Sequence, residues 1–114
     1  MKRIGHIIAG EIISQGDAVA PVFNPATGQQ TGEVLLGGAA EVSRAVDAAA
    51  AAQIEWGAAP PAKRAEVMFA LREGMRRRRD EIAETISAEH GKTHDDALGE
   101  VTRALEVVEY ASSI

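Results

Sequence analysis

The chain contains the tripeptide Gly91-Lys92-Thr93. The same tripeptide ends the phosphate-binding loop of many nucleotide-binding proteins. That loop needs a second glycine five positions before Gly91, whereas position 86 is isoleucine. It also follows a strand, whereas residues 62–89 have the periodicity of a helix. We therefore interpret Gly91 as the glycine that ends a helix, with Lys92 near the negative end of the helix dipole.

His90 and His94 stand four residues apart beside Asp95 and Asp96, and all four are types that bind metals. The helix break expected at Gly91 removes the i, i+4 geometry that would place both histidines on one face. No further cluster of ligands stands elsewhere to complete a tetrahedral zinc site. We expect caps and loop residues here, and no metal.

Four successive arginines occupy positions 76–79, the most visible charge cluster of the chain. Successive residues point to different sides of a helix, so these four side chains cannot form one basic face. Asp80, Glu81 and Glu84 stand close enough to pair with them. A formal net charge of −5 also disfavours nucleic-acid binding. The pattern predicts a solvated helix with salt bridges, and no nucleic-acid partner.

Arg103 has two possible roles. It lies two residues after Val101, about 200° around a helix, and therefore faces away from an apolar stripe that includes Val101. Glu100 and Glu106 flank it at three residues on either side and could form exposed ion pairs with it. Alternatively, its guanidinium could reach a cleft and bind a carboxylate through two parallel hydrogen bonds. The spacing alone favours the ion pairs.

The first part of the chain, residues 1–38, is predicted to form a β ribbon. Isoleucines on both sides of Gly10-Glu11 predict a hairpin with a tight glycine turn. A second extended pair is expected within residues 22–36, where Asn24-Pro25 starts a turn and Gly28 ends it. A ribbon of this size is marginally stable alone and must pack on another element.

The remainder, residues 39–114, is predicted to form three helices, so the predicted class of this chain is α+β, a β ribbon followed by helices. The first runs from about Ala39 to Trp56, the second starts at Pro60-Pro61, and the third starts at His94. Their apolar stripes are Val42, Val46, Ala49 and Trp56; Met68, Leu71, Met75, Ile82 and Ile86; and Ala97, Val101, Leu105 and Val108.

Composition limits the function classes. The chain has 114 residues, 46% hydrophobic and 25% charged, as in an ordinary globular domain or part of one. There is no cysteine, which excludes disulfides and a cysteine nucleophile within this chain. The N-terminal apolar patch is interrupted by His6 and Glu11, unlike a signal peptide, and no stretch is long enough to span a bilayer. We expect a cytoplasmic protein with no membrane partner.

Several motifs together resemble the N-terminal part of the aldehyde dehydrogenase superfamily. They are NPATG at 24–28, the alanine-rich helix that reaches Trp56, and EHGKT at 89–93 followed by ALGEV. The string GEVTRALEVVEYASS at 99–113 is most similar to the CoA-acylating branch that acts on methylmalonate semialdehyde. The resemblance covers essentially the whole chain, which would then be the N-terminal portion of a cofactor-binding domain in an α/β fold.

The resemblance implies an enzyme that oxidises methylmalonate or malonate semialdehyde with NAD and transfers the acyl group to coenzyme A. Its nucleophilic cysteine, general-base glutamate and glycine-rich cofactor segment lie downstream of this region. Without them, this chain alone is expected to bind no cofactor and to be inactive. The resemblance also implies assembly as a homo-oligomer and matches Arg103 to an arginine that binds the substrate carboxylate. Because of that match, we expect Arg103 to bind the substrate carboxylate rather than to form ion pairs with Glu100 and Glu106.

An interaction module is the alternative hypothesis. In that case the chain would be a small helical protein derived from a dehydrogenase, and it would bind a partner through its apolar helix faces. Alanine supplies much of the hydrophobic content, and alanine-rich helices bury little area per residue. The apolar faces therefore need a further partner under either hypothesis.

Overall fold

Strands and helices occupy separate parts of the chain. The computed structural model describes all residues 1–114, which divide into two units, Met1–Ala58 and Ala59–Ile114. Five strands precede four helices, which confirms the predicted α+β class. The strands are β1 (Lys2–Ile4), β2 (His6–Ile8), β3 (Glu11–Ile13), β4 (Val19–Phe23) and β5 (Gln30–Leu35); the helices are α1 (Ala39–Ala58), α2 (Pro61–Arg77), α3 (Arg79–His90) and α4 (His94–Ala111).

The predicted glycine hairpin is formed by β2 and β3. They pair antiparallel, with His6 opposite Ile13 and Ile8 opposite Glu11. The two residues between the strands, Ala9 and Gly10, both have positive φ, 53° and 80°. Two positive φ values are what a two-residue type I′ turn requires, because that turn matches the twist of the strands it joins.

The second predicted pair is also present and belongs to a three-stranded sheet of order β1-β5-β4. Strands β4 and β5 are antiparallel and joined by a turn in which the Asn24 side chain accepts a hydrogen bond from the Ala26 N–H at 2.9 Å. Strand β1 pairs parallel with β5, with Ile4 opposite Val34. Ile8 and Leu35 are the buried large side chains of this unit.

Helix α1 begins at a glycine cap. The carboxylate of Glu41, in the first turn, accepts a hydrogen bond from the Gly38 N–H at 2.7 Å, which is the glutamate half of a capping box. The predicted stripe of α1 is not buried within this chain, since Val42 and Val46 are 61% and 59% exposed. Strand β2 approaches the alanines of the helix instead, leaving an apolar groove between Ile8 and Ala48.

The prediction of three helices is corrected at residue 78, where the long second helix is divided into α2 and α3. Arg78 has φ −106° and ψ 20°, outside helical values. Its N–H still donates to the Gly74 carbonyl at 3.2 Å, so the interruption is one residue long. The apolar periodicity runs through the break and gives no signal of it. Helices α2 and α3 both pack on α4, so the break lies between two segments that contact the same helix.

The core of the second unit lies between α3 and α4. Ala83, Ala97 and Val101 are at most 2% exposed, and Ile82, Ile86, Leu98 and Leu105 pack around them. The predicted stripe of α4 is therefore confirmed as its buried face. No helix of the chain combines the length and the apolar composition that crossing a bilayer requires.

Candidate functional site

Arg103 lies on the outer face of α4. It is exposed, whereas Val101, two residues earlier, is 2% exposed and packs against α3. This is the orientation that the helical spacing predicts. Val107, one turn after Arg103 on the same face, is 65% exposed. The outer face of α4 therefore presents a cation beside apolar surface.

The guanidinium of Arg103 has no partner in the chain. It forms neither of the ion pairs that the spacing favours, because Glu100 pairs instead with the ammonium group of Lys92 and Glu106 pairs with no cation. The hydrogen bond from Lys92 lowers the pKa of Glu100, and the nearby charges of Lys92, His90 and Arg103 lower it further, against a smaller opposing effect of burial. Arg103 thus contributes to the field at Glu100 without contacting it, and its five N–H donors remain free.

The tripeptide Gly91-Lys92-Thr93 joins α3 to α4. Gly91 has φ 82° and donates its N–H to the Ser87 carbonyl at 2.9 Å, which confirms that it caps the end of α3. Thr93 caps the start of α4 by accepting a hydrogen bond from the Asp96 N–H at 3.2 Å. The Lys92 side chain is 19% exposed and bound to Glu100. A loop built in this way does not fit nucleotide phosphates, because it follows a helix and its lysine is engaged.

The arginine run has pairing partners within the second unit. Arg78 donates two hydrogen bonds to Glu81, at 2.7 and 2.5 Å, and Arg76 lies 3.6 Å from Glu73. The bonds from Arg78 lower the pKa of Glu81 and raise that of Arg78. These contacts are the surface salt bridges that the charge pattern predicts for Arg78 and its neighbour Glu81.

The two histidines around Gly91 do not form a metal cluster. His94 lies 3.5 Å from an oxygen of Asp80 rather than beside His90. No group of three or more histidine, aspartate or glutamate side chains in the chain is arranged to hold a metal ion.

The first unit contains a cleft that the sequence did not indicate. It has a volume of about 350 Å³ and lies between the β2–β3 hairpin and the start of α1, with His6, Glu41 and Arg44 in its lining. The Nε2 atom of His6 is buried there without a hydrogen-bond partner. The lining comes from residues that are far apart in sequence, so no local motif could have revealed it.

The chain matches the aldehyde dehydrogenase family over residues 12–114. It is 41% identical to malonate-semialdehyde dehydrogenase of Pseudomonas aeruginosa over 111 residues, which cover 97% of this chain and 22% of the relative. The malonate-semialdehyde dehydrogenase of Bacillus cereus strain B4264 is 40% identical over 114 residues, 99% of this chain and 24% of the relative. The chain thus spans about a quarter of the length of the curated relatives it matches.

Solved structures show the same similarity. Methylmalonate-semialdehyde dehydrogenase of Oceanimonas doudoroffii matches with a TM-score of 0.95 and 42% identity, over 98% of this chain and 23% of that chain. A protein of Sinorhizobium meliloti 1021 assigned the same activity, and solved as a complex with NAD, matches with a TM-score of 0.94 and 41% identity over the same shares. Lactaldehyde dehydrogenase of Escherichia coli matches with a TM-score of 0.90 and 33% identity, covering 97% of this chain and 24% of that chain.

Proposed function

Because this chain belongs to the aldehyde dehydrogenase family, we propose that it is the N-terminal part of an NAD-dependent, CoA-acylating methylmalonate- or malonate-semialdehyde dehydrogenase. The four named relatives near 40% identity carry one or the other semialdehyde in their names. Lactaldehyde dehydrogenase, at 33% identity, does not. The segment contributes to a cofactor-binding domain of a cytoplasmic homo-oligomer, with no nucleic-acid or membrane partner.

The residue of this chain that serves the reaction is Arg103, which binds the carboxylate of the substrate. The observation that carries this role is its free guanidinium, exposed on α4 while the neighbouring Glu100 is held by Lys92. A planar guanidinium with free donors binds a carboxylate through two hydrogen bonds. Such a contact would orient an acidic semialdehyde and favour it over an uncharged aldehyde.

The covalent chemistry belongs to other parts of the enzyme. NAD would accept the hydride and coenzyme A the acyl group, and neither has a phosphate site at the Gly91–Thr93 loop described above. This chain has no cysteine, so it cannot form the covalent adduct with the aldehyde that the resemblance implies. We therefore expect the chain alone to be inactive and to bind no cofactor.

A stand-alone interaction module is the second candidate function. The exposed apolar face of α1 supports it, because Val42, Val46 and Ile54 are between 59% and 79% exposed. A contiguous apolar surface commonly marks a site of protein contact. The intact mass of the polypeptide in its native source separates the two candidates: a mass well above that of 114 residues supports the enzyme, and a matching mass supports the module.

The role of Arg103 can be tested in a chimera in which residues 1–114 replace the matching segment of the Pseudomonas aeruginosa relative. Arg103→Lys keeps the charge but loses the two-pronged contact. We expect kcat/KM for malonate semialdehyde to fall about tenfold, the equivalent of one charge-assisted hydrogen bond. The kcat/KM for propanal, which has no carboxylate, should be unchanged. A variant that retains the full preference for the acidic substrate would contradict the assignment.

A further inference from the structure

Exposed apolar side chains of the first unit lie together on one surface. On α1, Val42 and Val46 are 61% and 59% exposed, and none of the 20 residues of the helix is buried. On the hairpin, Ile7 and Ile12 stand opposite each other in the β2–β3 register, and each is 74% exposed. A groove of about 250 Å³ is lined by both Ile7 and Val42 and connects the two parts. We call these four residues the α1–hairpin surface.

The helical part of the α1–hairpin surface is free of charge. The charged residues of α1 are Glu41, Arg44, Asp47 and Glu55, and all lie about 100° or more from Val42 around the helix axis. An apolar helix face stabilises a fold only when it packs against another surface. The α1–hairpin surface therefore fits an apolar partner rather than a charged one.

The size of the surface favours a covalently attached partner over a second copy of the chain. Full burial of an aliphatic side chain removes roughly 60–120 Å² from water, so these four side chains offer roughly 150–350 Å² between them. A stable dimer buries about 800 Å² on each partner. Segments of one polypeptide have no such minimum, because their packing does not cost the translational freedom of a second molecule.

The solved relatives contain such an attached partner. The structures from Sinorhizobium meliloti and Oceanimonas doudoroffii share the fold of this segment, which matches only 23% of each chain. We propose that the downstream part of the dehydrogenase packs on the α1–hairpin surface through aliphatic or aromatic side chains. This inference rests on the proposed function, because it requires the longer enzyme.

The test compares Val46→Glu in the isolated 114-residue chain with Val46→Glu in the chimera described above. Glutamate is a better helix former than valine, so the Tm of the isolated chain should shift by less than about 4 °C. In the chimera the new carboxylate would be buried without a partner, and Tm should fall by about 6–10 °C. Ala51→Glu is the matched control, since Ala51 is exposed on the same helix about 140° from Val46. It should change Tm by less than about 4 °C in both proteins.

Ile7→Thr tests the hairpin part of the surface and is the milder variant if the Val46→Glu chimera does not fold. Threonine keeps the β-branched shape that suits a strand, so the isolated chain should retain its Tm. Burial of the hydroxyl group in the chimera should lower Tm by about 4 °C.

Two results would overturn the inference. The first is a chimera in which Val46→Glu costs no more than Ala51→Glu and Ile7→Thr has no effect. The second is a large loss of Tm on Val46→Glu in the isolated chain, because the surface would then be covered within residues 1–114 or by a second copy. Sedimentation velocity separates these two cases, since only a second copy makes the isolated chain a dimer that Val46→Glu dissociates.

The unsubstituted chimera tests the proposed function separately. If it oxidises malonate semialdehyde with NAD and coenzyme A, and the variants behave like their control, only the inference about the α1–hairpin surface fails. If the unsubstituted chimera is inactive, the proposed function fails and the inference fails with it.

Discussion

Lys92 binds the carboxylate of Glu100, which lies one turn before Arg103 on the same helix. Lys92 belongs to the short loop between α3 and α4, so the loop supplies a cation as well as the cap of each helix. The effect is to occupy the acid that could otherwise reach Arg103 at a spacing of three residues. Although the sequence of this loop resembles the end of a phosphate-binding motif, its lysine pairs with the carboxylate of Glu100.

If Arg103 binds the substrate carboxylate as proposed, removing the cation of Lys92 should weaken that contact. In the chimera, Lys92→Met frees Glu100 to pair with Arg103 and to compete with the substrate carboxylate. A helical ion pair of this spacing is worth about 0.2–0.5 kcal/mol, so KM for malonate semialdehyde should rise by up to about twofold. Steady-state kinetics with malonate semialdehyde and propanal measure the change.

Two further variants define the cause of that change. Lys63→Met removes an exposed lysine on α2 that lies 3.4 Å from Glu66, and should leave KM unchanged. The double variant Lys92→Met with Glu100→Gln removes the competing charge, and should return KM to the original value. A double variant that keeps the raised KM would show that Lys92 acts by another route.

The core of the second unit should be sensitive at Val101. Val101→Ala removes two methyl groups from a side chain that is 2% exposed against Ala83 and Ala97. We expect the free energy of unfolding to fall by about 2 kcal/mol, from lost burial and the cavity left behind. Val107→Ala, on the exposed face of the same helix, should change it by less than about 0.5 kcal/mol. Urea denaturation followed by circular dichroism measures both, and equal losses would contradict the assignment of the buried face.

The hydrogen bond from the Gly38 N–H to the Glu41 carboxylate, which caps α1, should make the stability of the fold depend on pH in the acidic range. The pKa of Glu41 is lowered first by the hydrogen bond from the Gly38 N–H and then by that from its own N–H; the charges of His6 and Arg44 act in the same direction, while partial burial opposes them. A group whose pKa is lower in the folded state stabilises the fold above its unfolded pKa, about 4.3 for glutamate. That contribution is lost as pH falls through the folded value.

Glu41→Gln should therefore lower Tm at pH 7. Below about pH 4, where Glu41 is itself protonated, the Tm of the variant should approach that of the unsubstituted chain. Thermal denaturation of the 114-residue chain between pH 3 and pH 7 measures the difference. Glu55→Gln, the same charge change on α1 at a residue without a hydrogen-bond partner, serves as the control. A difference in Tm that stays constant across this pH range would mean that ionisation of Glu41 does not contribute.

The sequence by itself determined the features that depend on neighbouring residues. Gly10 marked the hairpin, Asn24 the second turn and Gly91 the end of α3, because positive φ and side-chain caps are set within a few residues. The buried stripe of α4 followed from the helical period. Family membership also followed from local strings such as NPATG and GEVTR, and the family match over residues 12–114 confirmed it.

The tertiary structure alone decided the relationships between distant residues. The parallel pairing of Lys2 with Gly32, the division of the long helix at Arg78, and the bond from Lys92 to Glu100 have no local signal. Each depends on which surfaces meet once the elements pack, and the free-energy differences between such pairings are small. The spacing of Arg103 from Glu100 favours an ion pair, and only the position of the α3–α4 loop shows that Glu100 is already bound. The sequence could place Arg103 on a face of α4; the fold left its guanidinium free.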